Sequence, residues 1–193
     1  MISALRGLFI ASLIFSAPAF AQMAETPSAT DQAIRISAFS GKPVPRFESL
    51  KYAAVHGRTG PSFEYPIAWR YERRGLPVMV IKESHDWRMV RDPSGDEVWM
   101  HSRTLGGEPS VMIYGDENAM LLRSADADAR VVAQVEPGAV AQLIGCEGSF
   151  CEVYLNHRRG WVAKSNLWGA PGTSPETVRL QTAQLSSESI EEN

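Results

Sequence analysis

Two cysteines, four histidines and one segment rich in arginine and aromatic residues hold the side chains best suited to chemistry in this chain. Cys146 and Cys151 lie in the stretch GCEGSFCEV. A zinc site would need a C-x-x-C pair or further ligands at matching intervals. The cysteine spacing is wider than that, and His56, His85, His101 and His157 form no H-x-x-x-H pair. A catalytic cysteine works as a thiolate activated by a neighbouring base or cation. A second thiol beside it in an oxidising compartment would capture it. A single close pair in an exported chain points instead to a disulfide between Cys146 and Cys151.

The compartment is read from the stretch MISALRGLFIASLIFSAPAFAQ. Arg6 supplies a positive n-region, Gly7 to Phe15 an apolar run, and Ala19-Phe20-Ala21 a small-x-small cleavage site. This is the build of a secretory signal peptide over residues 1–21, cut after Ala21, and it predicts a periplasmic or secreted protein. The apolar run falls short of the roughly 20 residues that a membrane-crossing helix needs, and no later run reaches that length, so the mature chain is expected to hold no membrane span. Lys and Arg number 19 against 22 Asp and Glu, for a net charge of −3. Much of the negative excess lies in the tail (Glu176, Glu188, Glu191 and Glu192 against Arg179), which leaves the folded part near neutral. A basic footprint for nucleic acid is missing.

The second candidate is GRTGPSFEYPIAWRYERRGLPVMVI, residues 57–81. Tyr65, Trp69 and Tyr71 follow the Gly60-Pro61-Ser62 turn, interleaved with Arg70, Arg73 and Arg74. Aromatic and arginine side chains are the usual anchors of an interface. An extended peptide could lie on the aromatic face while Arg70 or Arg73 forks onto its carboxylates. The competing reading is a strand in which Trp69 and Tyr71 face a core and the arginines are a solvated face.

The elements that position these residues are short. LPVMVIKE, RMVRD and EVWMH are β-branched and aromatic runs separated by the SHDW and PSGD turns, with no long 3.6-residue period between them. Such spacing predicts small antiparallel barrels or sandwiches. Residues 22–45 read as a linker rich in Ala, Ser, Thr and Pro, and residues 170–193 as a disordered polar tail. The segment then repeats. Arg58 aligns with Arg123, Gly75 with Gly138, Trp87 with Phe150, Trp99 with Trp161 and Leu105 with Leu167, all in one order. Residues 57–81 therefore belong to a repeated structural unit rather than a single active-site loop, and the Val111-Met112-Ile113 run in the connection between copies is placed to add a strand.

The landmarks GRTGPS, RRGLPVMVI, DWRMV and VWMH in copy one, and LLRS, EPGAVAQLI, SFCEV and RGWVAKSNL in copy two, resemble the bacterial SH3-like (SH3b) domain. The resemblance implies an all-β fold of two tandem SH3-like small β-barrels, over residues 46–107 and 116–169. It also implies a non-catalytic binding or interaction module of the periplasm that recognises peptidoglycan peptides or an envelope protein. A purely structural role, or service as an accessory subunit of a cell-wall hydrolase, is the alternative. The expected site is Tyr65, Trp69, Arg70, Tyr71 and Arg73, with no catalytic residue, metal or cofactor. A hydrolase needs a nucleophile with a positioned base. No catalytic-sized segment remains beside the repeats, and no G-x-S-x-G elbow occurs. The chain departs from the family pattern where His56 and Leu121 replace the usual Asn, where Ala125-Asp126 stands for Gly-Pro, and where Val98 replaces the Gly before Trp99.

Overall fold

A computed structural model of the chain describes residues 34–172. The expected signal peptide and the tail beyond residue 172 lie outside the described residues. Within them every regular element is a β-strand or a single 3₁₀ turn, so the fold is all-β, as the turn-broken runs require.

The described chain opens on a hairpin, β1 (Arg35–Ile36) and β2 (Pro43–Val44). The first barrel follows with β3 (Arg46–Ser49), β4 (Val55–Arg58), β5 (Ile67–Tyr71), β6 (Pro77–Ser84), β7 (Trp87–Arg91) and β8 (Glu97–His101). Its sheet runs β3-β6-β7-β8-β4-β5, and a bridge between Leu50 and Leu105 adds a further antiparallel pairing. β-Branched residues dominate the inside: Val55, Val78, Val80, Val90 and Val98 pack with Leu50, Met100 and Leu105. The second barrel comprises β9 (Ser110–Ile113), β10 (Ala119–Leu122), β11 (Val131–Val135), β12 (Val140–Glu147), β13 (Phe150–Leu155), β14 (Arg158–Ala163) and β15 (Leu167–Trp168). Its order, β11-β10-β14-β13-β12-β9-β15, repeats that of the first barrel, with β9 beside β12 as β3 lies beside β6.

Three expected boundaries move. Residues 35–44, assigned to the linker, form the hairpin, which buries Val44 to 3% exposure. The second barrel begins at Ser110 rather than residue 116, because the Val111-Met112-Ile113 run does form a strand in its sheet. Order also persists past the start assigned to the tail, since Ala170 is fully buried. In each case a few apolar side chains reach a neighbouring core from a segment whose average composition is polar.

The replacement of the expected Gly by Val98 has a packing explanation. A Cβ on Gly57 would stand 2.6 Å from the Val98 side chain. In the second barrel the corresponding contact is reversed, and a Cβ on Gly160 would stand 2.6 Å from Leu121. Both barrels need one large and one small residue where these strands approach. They exchange which strand carries which.

The barrels are joined by more than their connection. Trp168, 2% exposed, donates its indole N–H to the carbonyl of Pro77 at 3.0 Å and meets the Phe47 ring edge-on at 5.2 Å. The buried hydroxyls of Ser49 and Ser110 lie 2.7 Å apart. Ser110 donates to the Gly75 carbonyl, so Ser49 is the donor to Ser110. Arg73 donates to the Gly138 carbonyl. Cys146 and Cys151 are bonded and directly opposed across β12 and β13, with Cys151 fully buried.

Two outcomes follow from this architecture. Replacing Cys146 and Cys151 together by Ser should lower stability by only about 2 kcal/mol, because the closed loop is short; urea denaturation of oxidised wild type and the double variant measures the difference. Trp168→Ala should cost about 3–5 kcal/mol through loss of a buried indole. It should also split unfolding into separate steps for the two barrels, read by comparing tryptophan fluorescence with far-ultraviolet circular dichroism.

Candidate functional site

The loop between β4 and β5, Thr59–Pro66, is closed by a hydrogen bond from the Thr59 amide to the Pro66 carbonyl at 3.1 Å. Ser62 Oγ accepts from the Glu64 amide at 3.1 Å, a local turn that Ser readily makes. Arg58, at the end of β4, holds the loop from below. Its Nη1 donates to the carbonyls of Phe63 (3.0 Å) and Tyr65 (2.6 Å), and its guanidinium carbon lies 5.6 Å from the Phe63 ring centre. Gly60 has to lack a side chain, since a Cβ there would fall 2.4 Å from the Tyr65 ring.

Phe63 is thereby turned back over the barrel end. Its ring meets Trp87 edge-on at 5.0 Å and stacks on His101 at 5.4 Å, while Trp87 and His101 are 5.3 Å apart. Trp87 and His101 are cross-strand partners on β7 and β8, so sheet register brings them together. Trp87 forms a buried floor at 8% exposure, and Phe63 stands open at 65%. His101 Nδ1 accepts from the Arg103 amide at 3.2 Å, which leaves the ring proton of its neutral form on Nε2. In the β6–β7 turn His85 takes φ 49° and meets Phe39 of the hairpin at 5.2 Å. The result is an aromatic ledge with imidazole and guanidinium at its edges. It can hold a planar or apolar group and offer donors to a neighbouring carbonyl or carboxylate.

A buried carboxylate anchors this end of the barrel. Glu83, on β6, has a side chain only 1% exposed and pairs with Arg46 (2.7 Å) and Arg88 (3.0 Å). It also accepts from Ser40 Oγ at 3.0 Å and from Ser37 Oγ, both in the segment joining β1 to β2. Arg46 in turn pairs with Glu48 at 2.6 Å, and Lys42 lies 3.7 Å from Glu48. Arg88 donates to the carbonyls of His85 (2.7 Å) and Trp87 (3.0 Å), which fixes the backbone beneath the ledge. Burial pushes the Glu83 carboxyl up, but hydrogen bonds from Ser37, Ser40 and Arg46, with the Arg46 charge, outweigh it and hold the carboxyl below its ordinary value.

The residues expected from sequence fall in different places. Tyr65 is half-exposed beside the ledge, on the loop that Arg58 holds. Trp69 is 53% exposed on β5 opposite Gly57, so the reading of it as a core residue does not apply. Arg70 is exposed and pairs with Glu72 at 3.1 Å. Tyr71 packs on the core, and its hydroxyl donates to Asp92 at 3.0 Å. Burial, then the neighbouring Asp92 carboxylate, pushes its phenol well above the ordinary value, so it stays a donor. Arg73 points to the second barrel through its bond to Gly138. Phe63, Trp87 and His101 were not among the expected site residues. Barrel two has Phe150 and Ala163 in register where Trp87 and His101 stand, and its matching loop carries Asp126 and Asp128 instead of an aromatic residue.

A family model described as Bacterial SH3 domain matches residues 51–107 and again 115–169. A Bacillus subtilis (strain 168) protein named "Putative N-acetylmuramoyl-L-alanine amidase YrvJ" is 22% identical over 135 residues, which cover 65% of this chain and 26% of that protein. The chain thus spans about a quarter of that relative. Among solved structures, NlpC2 from Trichomonas vaginalis aligns at TM-score 0.29 and 10% identity over 64% of this chain and 48% of that one. NlpC1 from the same organism aligns at TM-score 0.29 and 12% identity over 68% and 48%.

Because folding lowers the Glu83 pKa, the unfolded chain binds this proton more readily than the folded one. The carboxylate's stabilisation is full above the unfolded glutamate value of about 4.3 and is lost as pH falls through the lower folded value. Glu83→Gln should remove about 3 kcal/mol at neutral pH, since the nearly buried Arg88 loses its one carboxylate partner and Arg46 keeps only Glu48. It should also flatten the dependence of stability on pH below about 4.3, as read by urea midpoints across an acid series.

Proposed function

The chain belongs to the Bacterial SH3 domain family, and from that premise we propose that it is a non-catalytic binding module of the cell envelope whose first barrel recognises peptides of the cell wall. The observation that carries this reading is the ledge of Phe63, Trp87 and His101, assembled on one barrel and missing from the corresponding register of the other. An open aromatic ring over a buried one is the form of an interface anchor. Tyr65 beside it and Trp69 along β5 extend the apolar surface. Arg70 is the cation exposed nearest in sequence to Trp69, and wall peptides supply carboxylates for it. The partial similarity to an amidase of muramoyl-alanine bonds supports a wall location, and the export signal read from the sequence agrees with it.

Sequence similarity to a hydrolase also favours a second reading, in which the module docks on such an enzyme and the wall contact is the enzyme's own. Sedimentation with purified peptidoglycan sacculi separates the two. The oxidised full chain should co-sediment. Phe63→Ala should weaken binding by roughly 2 kcal/mol, about thirtyfold, with an unchanged melting temperature because Phe63 is mostly exposed. Trp69→Ala should weaken it less, and Tyr154→Ala on the second barrel should leave it unchanged. A wild-type chain that stays in the supernatant would overturn wall binding and move the role to a protein partner.

A further inference from the structure

The two barrels enclose an open cleft of about 470 Å³, within the size range of small-ligand sites. One wall is Ser49–Lys51 with Arg74 and Gly75 from the first barrel; the other is Val140–Gln142 of β12, and the connection Gly107–Ser110 closes the end. The walls are set by the buried Trp168 and by the Ser49–Ser110 hydroxyl pair at the floor. Three charged residues line it: Lys51, Arg74 and Glu108. Among the described residues none of the three belongs to an ion pair. The chain of Lys51 runs along the connection, with its Cε 3.4 Å and its Nζ 3.8 Å from where a Cβ on Gly106 would stand. The amide groups of Gly107 and Glu108 donate no hydrogen bond within the described chain.

We propose that this cleft binds the C-terminal carboxylate of a short extended peptide, at a site separate from the aromatic ledge. Lys51 and Arg74 supply two cations that form no ion pair within the described chain, and a guanidinium takes a carboxylate through two parallel hydrogen bonds. The free amides of Gly107 and Glu108 add donors of the kind that capture a chain terminus. The partly exposed Val140 gives apolar wall for a side chain, and the Gln142 amide can meet a peptide group. Glu108 leaves the three charged side chains with a net excess of one positive charge. That suits a single carboxylate and disfavours a doubly charged phosphate.

The test is residue-resolved NMR titration of the full chain with tri-alanine, its C-terminal amide and inorganic phosphate. The free acid should shift the amides of Lys51, Gly107, Ser110 and Gln142 and bind at least tenfold more tightly than the amide form. Arg74→Ala should abolish that preference; Arg74 is exposed and makes no hydrogen bond within the described chain, so the fold should persist. Lys51→Gln, read in the same way, covers the case in which the Arg74 variant misfolds. Phe63→Ala should leave cleft binding intact, which separates failure here from failure of the ledge. Equal affinity for acid and amide, phosphate binding as tightly as the acid, shifts confined to the ledge, or no binding would each overturn the proposal.

Discussion

The indole of Trp168 is the contact on which the tandem arrangement depends. A β-barrel of about fifty-five residues buries too small a share of its surface to be comfortably stable alone. Trp168 leaves β15 of the second barrel and is buried between Pro77 and Phe47 of the first, with its N–H satisfied by a carbonyl that it covers. A Trp buried without that partner would pay for an unmet donor. The Ser49–Ser110 pair and the Arg73–Gly138 bond are short polar ties that fix the relative rotation once the indole is seated. The cleft between the barrels owes its shape to these contacts.

The two copies keep one core and differ at their ends. Gly57 against Val98 and Leu121 against Gly160 fill the same inward contact with the sizes exchanged between strands. Substitutions of that kind preserve packing volume and leave the fold unchanged. Outside the core no such compensation is needed, and the copies diverge freely. Trp87 and His101 become Phe150 and Ala163, and the loop that presents Phe63 becomes a polar turn with no aromatic residue. The Glu83 network likewise serves only the first barrel and its hairpin.

Much of this was legible in the residues. β-Branched runs between Gly, Pro and Asp turns marked the strands, and the ordered repeat marked two barrels. The paired cysteines marked a disulfide, and the register places them directly opposite on neighbouring strands. The site was less legible. Phe63 lies in a turn with no periodicity, and its contacts with Trp87 and His101 cross 24 and 38 positions, which local spacing cannot reveal. The signal that could have found it is an aromatic residue directly after Gly-Pro-Ser, opposite an Arg placed to hold a loop. Arg58 and Arg123 stand one position out of register, for it is Leu122 that faces Trp161 as Arg58 faces Trp99. The loops after β4 and β10 are equal in length, eight residues each, so the offset comes only from pairing arginine with arginine.

The side chain at this register position also governs the loop that follows it. At the position facing the tryptophan, barrel one has a cation with long reach and barrel two has a buried leucine. Arginine at the end of β4 can extend past the strand and bind two loop carbonyls, whereas leucine at the end of β10 can only pack. The difference in one side chain therefore decides whether the following loop is folded back over the barrel end or left to its own turns. A loop folded back can present an aromatic ring above Trp87; a loop closed by Asp126 on its own backbone has nothing to hold such a ring. An aromatic ledge on one barrel and a plain turn on the other is the division that this single contact produces.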